Sequence, residues 1–275
     1  MRRNLSILLL ITLSLILGES CKQSVATSAR NNDEPVAASI PESPEMLAVL
    51  YQQTAAEYRA LCYQAFNVAE YQLELRLKET HGMKAYSVVV DIDETMLDNS
   101  PYEARCIIDN FAYPVGWDEW MKEASARAVP GALDFLRYAQ SRGVQVFYVS
   151  NRKEAYFNET LLNLQKLGFP YAQGDHLFLK RNESSKKERR QRITDKTNVV
   201  MLIGDNLIDF SEVFESTKID ERFAATDRFR DKFGTKFIVL PNAMYGDWLK
   251  AVYSDDPSAE PGIKAEMRRN ALITK

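Results

Sequence analysis

The sequence predicts an α/β fold: a parallel sheet flanked by helices, with a small, mainly helical and loop cap inserted after the first strand. Three observations carry that prediction. Short runs rich in Val, Ile and Leu recur at 86–93, 144–151, 176–180, 198–206 and 236–242. Helix-like stretches separate them, at 130–142, 153–167, 184–193 and about 207–216. Continuous apolar strands alternating with helices belong to parallel sheets covered on both faces. Finally, residues 99–129, between the first strand and the helix at 130, are too many for an ordinary βα loop. They hold Tyr102, Phe111, Tyr113, Trp117 and Trp120, the side chains of a small cap.

The chain begins with a segment that does not belong to this fold. Arg2 and Arg3 precede an apolar stretch from Leu5 to Leu17, then small or polar residues and Cys21. This is a secretory signal pattern, assigned to residues 1–20. The apolar stretch is shorter than the ~20 residues a membrane-spanning helix needs. A cysteine just behind it resembles a bacterial lipoprotein signal, in which Cys21 would be acylated; a plain signal peptide is the alternative. Residues 21–42 are polar, small and Pro-containing, and read as a flexible tether. Ser43-Pro44 is a helix start, with Ser as cap and Pro in the first turn. Leu47, Leu50, Tyr51, Tyr58, Leu61, Ala65, Val68 and Ala69 then recur at helical spacing, predicting one long helix to about Lys78. The folded domain is expected over 43–254. A polar tail, 255–275, is expected to be mobile or laid on the surface.

Composition narrows the function. The 275 residues suffice for one sizeable domain. A formal charge of −3 gives no basic excess for a nucleic-acid polymer. The two histidines, His81 and His176, lie in no metal-spaced or catalytic cluster. No dinucleotide or P-loop glycine pattern is present. Apart from Cys21 there are two cysteines, Cys62 and Cys106, which either pair or remain buried thiols.

The acids carry more information. The first apolar run ends in Asp91, Asp93 and Glu94, and buried charge without compensation is costly. Ser150 and Asn151 end the second run, and Gly204 and Asp205 the fourth, with Asp209 close behind. In parallel α/β sheets the active groups gather at such carboxyl ends. A carboxylate attacks phosphorus as a nucleophile, and a second carboxyl protonates the leaving oxygen. Two acids facing an anionic substrate need a cation, and oxygen ligands suit Mg²⁺. The "SSKKERR" run at 184–190 offers ammonium groups for phosphate charge.

These residues resemble a family. D-x-D-x-T at Asp91, Asp93 and Thr95, then Ser150-Asn151, Lys186 and G-D-N-x-x-D at 204–209, are similar in type and order to the haloacid-dehalogenase-like (HAD) phosphatases. "FYVSNR", "SSKKERR", "GDNLIDF" and "LPNAMYGDW" look like the class C acid phosphatases, in particular the 5′-nucleotidase lipoprotein e group. The resemblance implies a HAD-like (Rossmannoid) sheet and a role for each position. Asp91 would be the nucleophile and a metal ligand. Asp93 would be the general acid/base, with its backbone carbonyl on the metal. Asp205 would be the remaining ligand, supported by Asp209. Ser150, Asn151 and Lys186 would hold the phosphoryl group, with Thr95 on the same substrate side; Lys186 is preferred to Lys187 because it follows the paired serines. Arg189 would be structural or support the residues that contact substrate. Tyr102, Trp117 and Tyr245 would stack on a nucleobase. Glu94 is expected to face away from the site, Asp98 to cap the next segment, and His176 to be structural.

The reading is an exported, membrane-anchored, Mg²⁺-dependent acid phosphatase acting on small phosphomonoesters, with nucleoside 5′-monophosphates foremost, through an aspartyl-phosphate. The resemblance implies an outer-membrane lipoprotein of a Gram-negative bacterium, with a homodimer open. Two alternatives stand beside it: a surface lipoprotein that binds haem or a nucleotide with an idle site, and a phosphotransferase.

Overall fold

A computed structural model describes residues 43–79, 84–253, 256 and 258–274. In chain order these form helices α1 (Met46–Thr54) and α2 (Ala56–Glu79), strands β1 (Tyr86–Val90) and β2 (Leu97–Asp98), and helices α3 (Ser100–Ile108) and α4 (Trp117–Glu123). There follow β3 (Arg127–Ala128), α5 (Ala132–Ser141), β4 (Gln145–Lys153), α6 (Phe157–Leu167), β5 (Leu177–Lys180), α7 (Lys187–Lys196) and β6 (Asn198–Gly204). The chain closes with α8 (Ile219–Arg228), β7 (Phe237–Val239), α9 (Asp247–Val252) and α10 (Pro261–Asn270). The signal segment, Cys21 and the tether lie outside the described residues, as does His81.

The main sheet has the order β5-β4-β1-β6-β7, every neighbouring pair parallel. β1 sits in the middle. Its alternate side chains divide between two cores, as a two-residue repeat requires. Val88 and Val90 pack with Tyr58, Phe66 and Leu73 of α2 and with Phe135 and Leu136 of α5. Val89 packs on the other face with Phe147, Ile193 of α7, Phe214 and Phe237. With apolar residues covering both faces, the polar chemistry is confined to the sheet's ends.

A small insertion stands between β1 and α5. α3 and α4 form most of it, and the antiparallel pair β2–β3 closes its base, with Leu97 opposite Ala128. Other details differ from expectation. The long N-terminal helix breaks at Ala55, whose ψ of 126° is extended, and Ser43 does not cap it. Tertiary bonds explain the break: Gln52 Nε2 donates to Asp98 (2.8 Å) and Gln53 Nε2 to Ser100 (3.2 Å), turning α1 onto the cap. The helix expected at 207–216 is two single 3-10 turns, Leu207–Asp209 and Glu212–Phe214. Asp209 is buried there. The polar tail contains α10, tied back by Arg268 donating to the Tyr253 hydroxyl (2.6 Å). α8 had no forecast. Among the described residues no helix is long and apolar enough to cross a membrane.

Candidate active site

The carboxyl ends of β1, β4 and β6 meet the start of α7 at one point below the cap. Asp91 follows β1 directly, and its backbone N–H still donates to Ile203 O (2.9 Å), so the sheet ladder holds it. The chain then turns tightly at Glu94, which has φ +56°, and Glu94 N–H donates to Leu97 O (2.8 Å). Asp205 follows β6, and the turn behind it delivers Asp209. Gly204 is required there: a Cβ at that position would lie 2.3 Å from Asp209 Oδ2.

Asp91, Asp205 and Asp209 each offer a carboxylate oxygen, all within 4.8 Å of one another. One ammonium faces them. Lys186 is 3 % exposed; it donates to Asp91, and to Asp209 at 2.5 Å. Its neighbour Lys187 instead lies at the surface, paired with Glu212 (3.1 Å). Thr95 Oγ1 and Asn242 Nδ2 donate to the two oxygens of Asp205 (3.1 and 2.8 Å).

Three carboxylates against one ammonium leave two negative charges in excess when all are ionised. The electrostatics register that deficit. Burial, joined by the neighbouring acids, pushes Asp91 well above the carboxylate range despite Lys186. Burial and Asp209 push Asp205 up to about 7. Burial opposes the Lys186 charge, but Asp209 and Asp91 outweigh it and raise its pKa. A divalent cation held by oxygen ligands fits this donor set and balances its charge.

Asp93 lies in a different environment. Burial disfavours its charge, but the Arg152 guanidinium and hydrogen bonds from Arg152, Asn99 and Ser150 hold its carboxyl below the usual range. Arg152 Nε approaches Asp93 Oδ1 at 2.9 Å and Nη2 at 2.8 Å. Ser150 Oγ donates to Oδ2 (3.1 Å).

A cleft of about 450 Å³ opens above these groups, lined by Asp91, Asp93, Asn151, Lys186, Trp117 and Tyr245 among others. A larger groove of about 800 Å³ runs beside β5, but it holds none of the clustered acids. Arg189 donates to Ser150 O and to Asn151 Oδ1, both at 2.6 Å. That leaves the Asn151 NH₂ as a donor for the cleft.

Three expected substrate contacts are placed otherwise. Thr95 and Ser150 are fully buried, and their hydroxyls serve Asp205 and Asp93. Tyr102 is also buried, its hydroxyl donating to Val115 O (2.9 Å), and its ring packs edge-on against Trp117 at 4.9 Å. It supports the cleft wall from behind. Trp117 and Tyr245 do line the cleft, together with Tyr113 and Tyr156. Asp209, expected behind Asp205, stands level with it in the acid cluster.

Glu94 points at Asn99 and away from the cleft, and Asp98 Oδ1 accepts from Ser100 N–H (2.9 Å) at the start of α3. His176 stacks on Phe147 at 4.4 Å, its Nδ1 2.7 Å from Val146 O. Cys62 and Cys106 are buried free thiols. Sequence reasoning gave no role to Arg152, Asn99 or Asn242. The signal for Arg152 was present: a strand-end arginine directly after Ser150-Asn151, three residues past the apolar run that ends at Val149, needs a buried anion.

Fold and site together define a HAD-type protein, in which a Rossmann-like sheet presents paired aspartates beneath a cap. Residues 9–248 match the model of the HAD superfamily, subfamily IIIB (acid phosphatase), and the chain belongs to that family. The class C acid phosphatase from Bacillus anthracis superimposes with a TM-score of 0.81 at 37 % identity, covering 84 % of this chain and 97 % of that one. A tungstate-bound structure of that enzyme superimposes equally well, at 38 % identity over the same shares of the two chains. Acid phosphatase 1 of Solanum lycopersicum is 30 % identical over 112 residues, 36 % of this chain and 44 % of its own length. Vegetative storage protein 2 of Arabidopsis thaliana is 29 % identical over 138 residues, 45 % of this chain and 49 % of its own. The chain thus spans about half the length of these two relatives.

Proposed function

We propose that this protein is an exported, metal-dependent acid phosphatase that hydrolyses nucleoside 5′-monophosphates and related phosphomonoesters through an aspartyl-phosphate on Asp91. One observation carries the reading: a buried strand-end carboxylate, Asp91, contacts a buried lysine inside a cluster of further acids, beside a separately held Asp93. Family membership supports phosphomonoester chemistry. The Bacillus anthracis relative accommodates tungstate, a tetrahedral oxyanion like phosphate.

Asp91 and Asp205 would hold Mg²⁺, with the Asp93 backbone carbonyl, while Asp209 adds charge to the cluster. The ion supplies positive charge for the phosphate oxygens. An Asp91 oxygen attacks phosphorus and the ester P–O bond breaks. Asp93, ionised in the free site, takes up a proton with the bound phosphomonoester and gives it to the leaving oxygen. Asp93 then takes a proton from water, whose oxygen attacks the phosphoryl group, releasing phosphate and restoring Asp91. Lys186 and the Asn151 amide stabilise the transferring group. Trp117 and Tyr245 provide aromatic surface for a base, and stacking accepts every base because each has a π-face. The signal and Cys21 support export and lipid anchoring, by sequence pattern alone.

The test is phosphate release from AMP and from p-nitrophenyl phosphate by the full chain in detergent, with Mg²⁺, with EDTA, and as Asp91→Asn. Metal-dependent release lost in Asp91→Asn is expected. Folded, Mg²⁺-loaded protein that releases nothing from either substrate would favour a binding lipoprotein. Phosphate transfer to added alcohol in place of water would favour a phosphotransferase.

A further inference from the structure

We infer that Asn99 is a positioning residue: it aims the Asp93 carboxylate and ties its place to the cap through Trp120. The inference rests on the reading of Asp93 as general acid and base, and deepens it.

Asn99 is fully buried where β2 passes into α3. Its side-chain NH₂ donates to Asp93 Oδ1 (2.7 Å) and to Glu94 Oε2 (3.3 Å). Its side-chain carbonyl accepts from Trp120 Nε1 (2.9 Å) and from Arg152 Nη2 (3.4 Å). Its backbone N–H donates to Glu94 Oε1 (2.7 Å). Indole N–H and guanidinium are donors only, and the ionised Asp93 carboxylate is an acceptor only. They settle which end of the amide is oxygen. Turned over, Asn99 would set a carbonyl against Asp93 and an NH₂ against the indole N–H, and its side-chain bonds to Asp93, Trp120 and Arg152 would be lost.

The order of control follows. Trp120 belongs to α4 in the cap and keys the amide. Asn99, so keyed, fixes Asp93. Arg152 closes the ring, touching both Asp93 Oδ1 and the Asn99 carbonyl. Oδ1 therefore already accepts from Asn99 and Arg152, whereas among the described residues Oδ2 accepts only from Ser150 (3.1 Å). Oδ2 is the oxygen with capacity left, and the geometry makes it the one that passes the proton to the leaving group. General-acid transfer needs donor and acceptor within hydrogen-bond reach, so a loosened Asp93 loses this step before it loses substrate binding.

Leaving groups separate positioning from mere structure. The 5′-oxygen of AMP leaves as an alkoxide unless protonated; p-nitrophenolate leaves without help. kcat/KM covers only the steps through formation of the phospho-enzyme, so later hydrolysis does not enter. Asn99→Ala is expected to lower kcat/KM on AMP at least about tenfold further than on p-nitrophenyl phosphate, a fraction of the 10²–10⁴ that general acids contribute. Trp120→Phe, which removes the indole donor while keeping an aromatic, though smaller, ring in the core, is expected to act in the same direction by about threefold or more, a smaller part of that same contribution. Equal losses on both substrates, or none, in a folded variant overturn the inference while leaving the phosphatase reading intact. If Asn99→Ala does not fold, Trp120→Phe decides alone. A folded, Mg²⁺-loaded wild type inactive on both substrates overturns the reading and the inference together.

Discussion

Replacing Lys186 by Met is the sharpest perturbation of the acid cluster. The substitution keeps the length of the stem and removes the ammonium that faces Asp91 and Asp209. Asp91, Asp205 and Asp209, with oxygens within 4.8 Å, are then left without that countercharge. Removing one partner of a buried ion pair costs about 3–5 kcal/mol. For a domain of this size each kcal/mol lowers Tm by about 2–4 °C. In EDTA the variant is therefore expected to melt about 6–20 °C below wild type, at the cited cost and conversion. Mg²⁺ should recover part of that loss, because a ligand at a hundred times its Kd adds about 2.7 kcal/mol. The Mg²⁺-induced rise in Tm should be larger in the variant, whose unrelieved acids bind the ion more tightly. Activity should fall about 10²–10³-fold, the usual loss when one preorganised donor to a transition state is deleted. Thermal melts by circular dichroism, with EDTA and with Mg²⁺, provide the check. A variant that melts with wild type in EDTA would refute the reasoning, since Lys186 would then not be the counterion of charged acids.

Three further outcomes follow from particular contacts. Gly204→Ala places a methyl group 2.3 Å from Asp209 Oδ2, so both metal-dependent stabilisation and phosphate release should be lost; melts and assays of the purified variant test this. Burial, helped by Glu45, raises Glu103 at the cleft to about 7, so the folded protein keeps a proton there that the unfolded chain releases from about pH 4.5. Wild type should accordingly lose stability relative to Glu103→Gln between about pH 4.5 and pH 7, with a flat difference above, read as ΔTm across a pH series. Trp117→Ala should lower kcat/KM for AMP about 5–150-fold while leaving ribose 5-phosphate nearly unchanged, since stacking contributes about 1–3 kcal/mol per base. Equal effects on both substrates would remove Trp117 from base recognition.

The sheet and its reactive edge follow from the amino-acid sequence alone. Valine-rich runs that stop abruptly at Asp91, at Ser150-Asn151 and at Gly204-Asp205 have no packing reason to do so, and parallel strands bring their carboxyl ends together. A length argument sufficed for the cap at 99–129. Other features needed the tertiary structure, because neighbours in sequence or members of one residue class are chemically alike until burial distinguishes them. Lys186 and Lys187 differ only in direction: one enters the acid cluster, the other pairs with Glu212 at the surface. Tyr102 and Trp117 are both cap aromatics, yet the first is core and the second lines the cleft. Thr95 and Ser150 carry hydroxyls suited to a phosphate, but their burial turns them to Asp205 and Asp93. The ring of Asp93, Asn99, Trp120 and Arg152 joins residues up to 59 positions apart. Local periodicity carries no trace of such a ring, because each bond in it depends on where the cap settles on the sheet.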